Sequence, residues 1–236
     1  MLLRVVLLGL AVTLAGVIAD AAAQTPAPPP PPIEGNIYSV TYVEVMPVSR
    51  ADAVILLGRY RQASRQEDGN LRCETASRIG QPHQFVIFEV WKDQKAFEAH
   101  GKSTTAREFR EKIHAIRNAP VDERVHIGVS VGALQPGPGG DAIYVATHVD
   151  VIPPRKDDAV AAIKAFGETA RAASGNVRYE IVQQTNRPNH FTAFEVWRSR
   201  KAFDAHGMSA SMREFRDKLS GMQGALYDER LYELLE

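Results

Sequence analysis

Two stretches of this chain align with each other without a single insertion. Ile37-Tyr38 recurs as Ile143-Tyr144, an offset of 143 − 37 = 106, and that offset still aligns Asp122-Glu123-Arg124 with Asp228-Glu229-Arg230. Roughly two in five of the positions between are identical, well above chance pairing in a repeat search. The densest blocks are Phe88-Glu89-Val90-Trp91, Lys95-Ala96-Phe97 and Ala99-His100-Gly101, repeated as Phe194-Glu195-Val196-Trp197, Lys201-Ala202-Phe203 and Ala205-His206-Gly207. A period this long in two copies is not a solenoid. It is a duplicated domain, and whatever fold one copy takes the other must take too. The copies span residues 37–131 and 142–236, joined by a Gly- and Pro-rich linker over 132–141.

Each copy reads as a β-α-β-β-α-β module. Ile37 to Val45 is rich in β-branched and aromatic residues and predicts a strand that Pro47 ends. Ala53, Val54, Leu57 and Tyr60 then fall on one helical face, as do Ala159, Val160, Ile163 and Phe166. Gly69-Asn70 and Gly175-Asn176 supply the left-handed turn after that helix. A second strand is expected over 70–77, a turn over 79–84 and a third, antiparallel strand over 85–91. Asp93 and Ser199 are good N-caps for a short helix ending at Gly101 or Gly207. Thr105-x-x-Glu108 and Ser211-x-x-Glu214 read as capping boxes for a further helix, and a last strand follows Arg124. This α+β order is ferredoxin-like. It covers one sheet face with helices and leaves the other bare, which two modules can remedy by facing each other as a pseudo-dimeric barrel.

The N-terminus is of another kind. Residues 1–23 have a positive start at Arg4, a short apolar run from Val5 to Ile18 and small residues at Ala21-Ala22-Ala23, as a cleaved secretory signal does. The apolar run is shorter than the roughly 20 residues of a bilayer span, so stable membrane insertion is not expected. Residues 24–36 form a proline-rich spacer that favours extended polyproline conformation. A periplasmic or secreted location is the expectation from this leader. Cys73 is the only cysteine, so no intrachain disulfide can form, and a small buried side chain is the expected role. With 28 basic and 28 acidic residues the chain has no basic excess, and nucleic acid is not an expected partner. The seven histidines show no HxxxH, HExxH or Cys-His spacing, so no metal is expected.

Pairing the two central strands so that Arg72 faces Glu89 also sets Asn70 opposite Trp91. Alternation then places Asn70, Arg72, Glu74, Glu89 and Trp91 on one face, with Leu71, Cys73, Val86, Phe88 and Val90 on the other. The second copy repeats the first set as Asn176, Arg178, Glu180, Glu195 and Trp197. One reading is a cross-strand Arg–Glu pair buried between the modules. The other is a substrate-binding wall in which Asn70, Arg72, Trp91 and their counterparts Asn176, Arg178 and Trp197 receive an aromatic ligand. His100 and His206 also carry two readings. A histidine at a helix C-terminus complements the helix dipole, or it serves as a general base toward a phenol.

The Phe-Glu-Val-Trp strand, the Lys-Ala-Phe-x-Ala-His-Gly segment and the following Arg-Glu-Phe resemble the antibiotic biosynthesis monooxygenase domain over nearly all of each module, Ile37 to Val129 and Ile143 to Leu235. That resemblance implies a dimeric α/β-barrel fold. It also implies cofactor-free oxygenation of a quinol or polycyclic phenol by dioxygen, with His100 and His206 as catalytic bases. Where family members carry a second histidine before the helix phenylalanine, this chain has Glu108 and Glu214. The contrasting expectation is a non-catalytic, small-molecule-binding or stress-related module of the same fold. Single-module relatives pair as dimers, so the two modules should pair within one chain, with further association between chains left open.

Overall fold

The computed structural model describes residues 33–235 apart from Pro136. The leader and the proline run of the spacer lie outside the described residues. In the first module the elements are β1 (Ile37–Glu44), α1 (Arg50–Ser64), β2 (Asn70–Arg78), β3 (Gln81–Trp91), α2 (Gln94–Gly101), α3 (Thr104–Ile116) and β4 (Asp122–Ser130). The second repeats them as β5 (Ile143–Asp150), α4 (Lys156–Arg171), β6 (Asn176–Gln184), β7 (His190–Trp197), α5 (Arg200–Gly207), α6 (Ala210–Ser220) and β8 (Asp228–Leu234). No helix among these residues is long and apolar enough to cross a membrane.

The eight strands close into one antiparallel barrel in the order β1-β3-β2-β8-β5-β7-β6-β4. Closure depends on the last strand of each module. Strand β4 pairs with β1 of its own module through Asp122–Ile127 and then with β6 of the other through His126–Ser130. Strand β8 does the same, pairing with β5 and then, through Tyr232–Leu234, with β2. Crossing over in this way leaves neither module with an unpaired edge. The inward faces of both sheets share one apolar core that includes Val40, Phe88, Tyr144 and Phe194, with the Phe88 and Phe194 rings edge-to-face at 4.0 Å. The outward faces are covered by helices. On α1 the buried Ala53, Leu57, Tyr60 and Ser64 form the stripe that seats the helix on the sheet.

Local signals account for most boundaries. Asp93 Oδ1 accepts from the Ala96 amide and Ser199 Oγ from the Ala202 amide, capping α2 and α5 as expected. Gly69 and Gly175 have φ of +83° and +81° at the entry to β2 and β6, where a Cβ would stand 2.6 Å from Ala96 Cβ and 2.5 Å from Ala202 Cβ. Three expectations change. The caps of α3 and α6 are Ser103 and Ser209, two residues before the expected capping boxes, and each accepts from the amide three residues on. The β2–β3 hairpin turns at Ile79-Gly80, so β3 starts at Gln81 rather than 85. Ile33, at the end of the expected spacer, packs against the Ile37, Trp91 and Ala96 cluster.

The largest correction concerns register. Asn70 does face Trp91, but a bulge before Arg72 shifts the ladder by one, so Arg72 faces Val90 and Cys73 faces Glu89. The second module has the same shift between Asn176 and Arg178. The extra residue reverses every following side chain. Arg72 and Glu74 therefore point into the barrel, while Glu89 and Trp91 lie on the helix-covered face with Cys73.

Inside the barrel the arginines find acids of the opposite module rather than the same-module partner expected for Arg72. Arg72 donates from Nη1 and Nη2 to Glu180 at 3.0 and 2.6 Å, and Arg178 donates to Glu74 at 3.2 and 2.5 Å. The linker joins this group, because the Gly137 amide donates to Glu74 Oε1 and Arg178 Nη1 donates to the Gln135 carbonyl. Burial raises the Glu74 carboxyl pKa, and the adjacent Arg178 and Arg72 more than reverse that, holding it below the ordinary value. These bidentate pairs fix how one module meets the other. Arg178→Leu alone strands the Glu74 charge and should cost about 3–5 kcal/mol, whereas adding Glu74→Leu should return most of it. Urea unfolding of both variants measures this, and equal losses in the two would contradict it.

Candidate active site

The outward face of the first module holds a connected set of polar side chains. Tyr60 comes from the last turns of α1, Glu67 from the loop that follows, Glu89 from β3 and His100 from the end of α2. The shift at Leu71 puts Cys73 beside Glu89 on this face. His100 Nε2 stands 2.7 Å from Tyr60 Oη, and His100 Nδ1 stands 2.8 Å from Glu67 Oε2. Tyr60 Oη is also 3.1 Å from Glu89 Oε2. The imidazole lies flat on the Trp91 indole, 4.5 Å between centroids at 27°. All but Glu67 are at least nine-tenths buried.

Burial drives the electrostatics. It pushes the Glu89 carboxyl up to about 8, with the Glu123 and Glu67 charges adding and the Tyr60 and Cys73 hydrogen bonds opposing. Burial, with Glu89 next to it, also raises the Tyr60 hydroxyl well above its ordinary value. Glu89 is thus protonated at neutral pH. The Tyr60 hydroxyl can donate to Glu89 Oε2 or, when protonated Glu89 donates to it, to His100 Nε2, with His100 Nδ1–H donating to Glu67. The latter arrangement is a directional relay that ends on a carboxylate.

A cavity of about 640 Å³ opens against the relay, between the sheet and α2 and α3. Tyr60 and His100 form part of its wall. Ile87, Phe97, Ala106, Phe109, Ile113 and Val121 make it largely apolar, with Thr41, His114, Glu123 and the charged Glu98, Arg110, Glu111 and Arg117 as polar groups. Both volume and lining suit a small aromatic ligand.

The second module has the same backbone and a different site. At the offset of 106, Tyr60 becomes Phe166 and Glu67 becomes Ala173. His206 keeps its stacking on Trp197, at 4.4 Å and 30°, but its Nε2 is buried without a hydrogen bond. Burial and Arg216 hold that imidazole down at about 4, so it is neutral. Glu195, also raised to about 8 by burial, accepts from Trp197 Nε1 at 2.8 Å. Two cavity positions are larger here, Met212 for Ala106 and Tyr227 for Val121, and outside the cavity lining Tyr179 stands in place of Cys73. Met212, Phe215, Leu219 and Tyr179 pack into the module core.

The expected site residues separate accordingly. His100 lies on the cavity wall with Trp91 behind it, whereas His206 and Trp197 lack a relay. Arg72 and Arg178 point into the barrel, tied to Glu180 and Glu74, away from the cavity. Asn70 lies beside Arg65 and Arg72 at a separate depression near the linker, and Asn176 donates to the Arg178 carbonyl. Tyr60, Glu67 and Glu89 were not singled out as chemical groups. The signal that finds two of them is the set of positions at which the copies differ, since Tyr60 and Glu67 lose their polar groups in the second copy.

Fold and site define a tandem α+β barrel with a hydrogen-bonded Glu67–His100–Tyr60–Glu89 set beside an apolar cavity. The antibiotic biosynthesis monooxygenase family matches twice, over residues 36–112 and 142–218, and the chain belongs to that family. An uncharacterised Synechocystis protein, sll1783, is 30% identical over 96 residues, which cover 41% of this chain and 65% of that protein. The Bacillus subtilis protein named "Putative monooxygenase YcnE" is 30% identical over 81 residues, covering 34% of this chain and 85% of it. The fold is similar to that of a Fusobacterium nucleatum protein, with a TM-score of 0.78 at 19% identity over 86% of this chain and 93% of the other. It is also similar to an anthrone oxidase-like protein, with a TM-score of 0.68 at 13% identity over 86% and 92%.

Protonated Glu89 has a consequence for stability. The unfolded carboxyl ionises near about 4.3 and the folded one near about 8, so between those values the folded chain binds more protons and loses stability as pH rises. Glu89→Gln removes that dependence. Its stability relative to wild type should therefore climb between pH 5 and 8, by at most about 1.4 kcal/mol per pH unit. Parallel stability–pH curves for the two proteins would contradict the assignment.

Proposed function

We propose that the first module oxygenates a small aromatic hydroxyl compound of the quinol or polycyclic phenol class, with dioxygen as oxidant. The observation that carries this reading is the Glu67–His100–Tyr60–Glu89 relay set into the wall of an apolar cavity. Family membership supports the reaction type.

In this reading the ligand's ring lies among Phe97, Phe109 and Ile113, with its hydroxyl at Tyr60. The substrate proton passes to Tyr60 Oη as the Tyr60 proton moves to His100 Nε2. The resulting imidazolium is stabilised by the Glu67 carboxylate at 2.8 Å. Glu89, neutral, donates to Tyr60 and so favours an anion at that end of the cavity. The substrate anion is electron-rich and reduces dioxygen. For a hydroquinone the balance is one quinol and one dioxygen giving one hydroxyquinone and one water, with four electrons leaving the ring. The apolar walls keep water from the anion and from reduced oxygen.

In the same reading the second module is a scaffold: it completes the barrel and carries no reaction. The N-terminal leader supports placing this activity outside the cytoplasm.

Oxygen uptake with a panel of hydroquinones tests the proposal. His100→Ala and Tyr60→Phe, the latter copying Phe166, should each lower the rate about 10²–10⁴-fold. His206→Ala should leave it unchanged. Absence of substrate-dependent uptake by the wild type would favour the non-catalytic binding module. Equal loss in the His100 and His206 variants would remove the division of roles between modules.

A further inference from the structure

The second module carries a side-chain group that the first does not. His148 and Asp150 are two residues apart on β5, so both project from one face of the strand. Strand β7 runs antiparallel beside it and sets His190 directly opposite Asp150. His148 Nε2 lies 2.8 Å from Asp150 Oδ1, His190 Nδ1 lies 2.6 Å from the same oxygen, and the two nitrogens are 3.4 Å apart. All three side chains are about four-fifths buried.

The two imidazole nitrogens are placed for a hydrogen bond to each other, but their contacts to Asp150 are not ordinary hydrogen bonds. Asp150 Oδ1 is buried and makes none, although two imidazole nitrogens stand that close, because neither approach has hydrogen-bond geometry. One ligand atom from each of the three side chains lies within 4.8 Å of the others. In the first module the same positions hold Tyr42, Glu44 and Gln84, and there Gln84 Nε2 donates to Glu44 Oε2 at an ordinary 3.1 Å.

We propose that His148, Asp150 and His190 form a binding site for a divalent transition-metal ion of the Zn²⁺ or Co²⁺ kind. Two imidazoles and one carboxylate suit such borderline ions. Metal–ligand bonds of about 2.0–2.2 Å at angles between octahedral and tetrahedral put ligand atoms about 2.9–3.5 Å apart. The separations of 2.6, 2.8 and 3.4 Å need adjustments of a few tenths of an ångström. A point about 2.1 Å from all three atoms lies about 1.2 Å off their plane. The ion would therefore be held from one side, with its remaining positions open to water or an oxygen donor. The neighbouring cations are already matched. Asp122 binds Arg124 at 2.7 Å and Asp228 binds Arg230 at 2.6 Å, while burial holds His126 neutral, down at about 4. Sequence spacing missed the group because 40 residues separate Asp150 from His190 (190 − 150 = 40), and only strand register joins them.

The test is calorimetric titration of Zn²⁺ into tag-free, chelator-stripped full chain near neutral pH, with Co²⁺ absorption as a second readout. One ion per chain should bind and raise the thermal unfolding midpoint. His148→Tyr/His190→Gln installs the first module's own residues. It should weaken binding about a hundredfold or more, since even outer-shell changes cost 10- to 100-fold. If that variant folds poorly, as judged by circular dichroism without metal, Asp150→Asn takes its place with the same expectation. No saturable binding by the wild type up to millimolar Zn²⁺ would overturn the proposal. So would undiminished affinity in a folded variant.

Discussion

One inserted residue in each central hairpin decides what both faces of the barrel contain. Strand alternation is strict, so the bulges at Leu71 and Val177 turn Arg72, Glu74, Arg178 and Glu180 inward and Cys73 and Tyr179 outward, opposite Glu89 and Glu195. Without the shift Arg72 and Arg178 would share the helix-covered face with Glu89 and Glu195, and Cys73 and Tyr179 would face the barrel interior. With it, four interior charges pair across the module boundary, each arginine bidentate to the other module's glutamate. A buried charge tolerates little displacement from its partner, so these contacts fix one mutual orientation of the modules. The crossing strands β4 and β8 secure the same orientation by backbone pairing.

The outward position of Glu89, which the unbroken β1–β3 ladder sets, makes the candidate site. A carboxyl enclosed by helix and sheet, facing a tyrosine rather than an arginine, stays protonated at neutral pH and can donate. That places Tyr60 between a donor and an imidazole, and the imidazole between Tyr60 and the Glu67 carboxylate. Duplication allowed the copies to diverge around an unchanged backbone. In the second, Phe166 and Ala173 take away both partners of His206, and Met212, Tyr179 and Tyr227 add bulk where the first copy has small side chains. The histidine and tryptophan shared by both copies serve as packing in one and as part of a relay in the other. The second copy has its own polar group, His148, Asp150 and His190, at the opposite face of its sheet.

Much of the fold was legible in the sequence because it rests on local signals. The gapless repeat implied two complete modules, and glycine, proline and cap residues placed most element ends to within a few residues. The barrel followed from the bare sheet face that each module leaves. The site was only half legible. His100 stood out in a repeated block, but strand alternation from an assumed Arg72–Glu89 pair put Glu89 on the wrong face, since nothing in Asn-Leu-Arg marks a bulge. Tyr60 read as one apolar contact in a helical stripe, which it also is. Its hydroxyl matters because of residues 29 and 40 positions away, Glu89 and His100. Such proximity is a product of tertiary structure and leaves no trace in spacing.

The central claim is that the first module alone offers a relay-lined cavity to a ligand. A crystal structure of the full chain with a bound aromatic hydroxyl compound tests it most directly. The account predicts density between the sheet and α3 of the first module, with the ligand hydroxyl within hydrogen-bond distance of Tyr60 Oη and the second module empty. Ligand bound equally beside His206, or in the first cavity with its hydroxyl turned away from Tyr60, would contradict it.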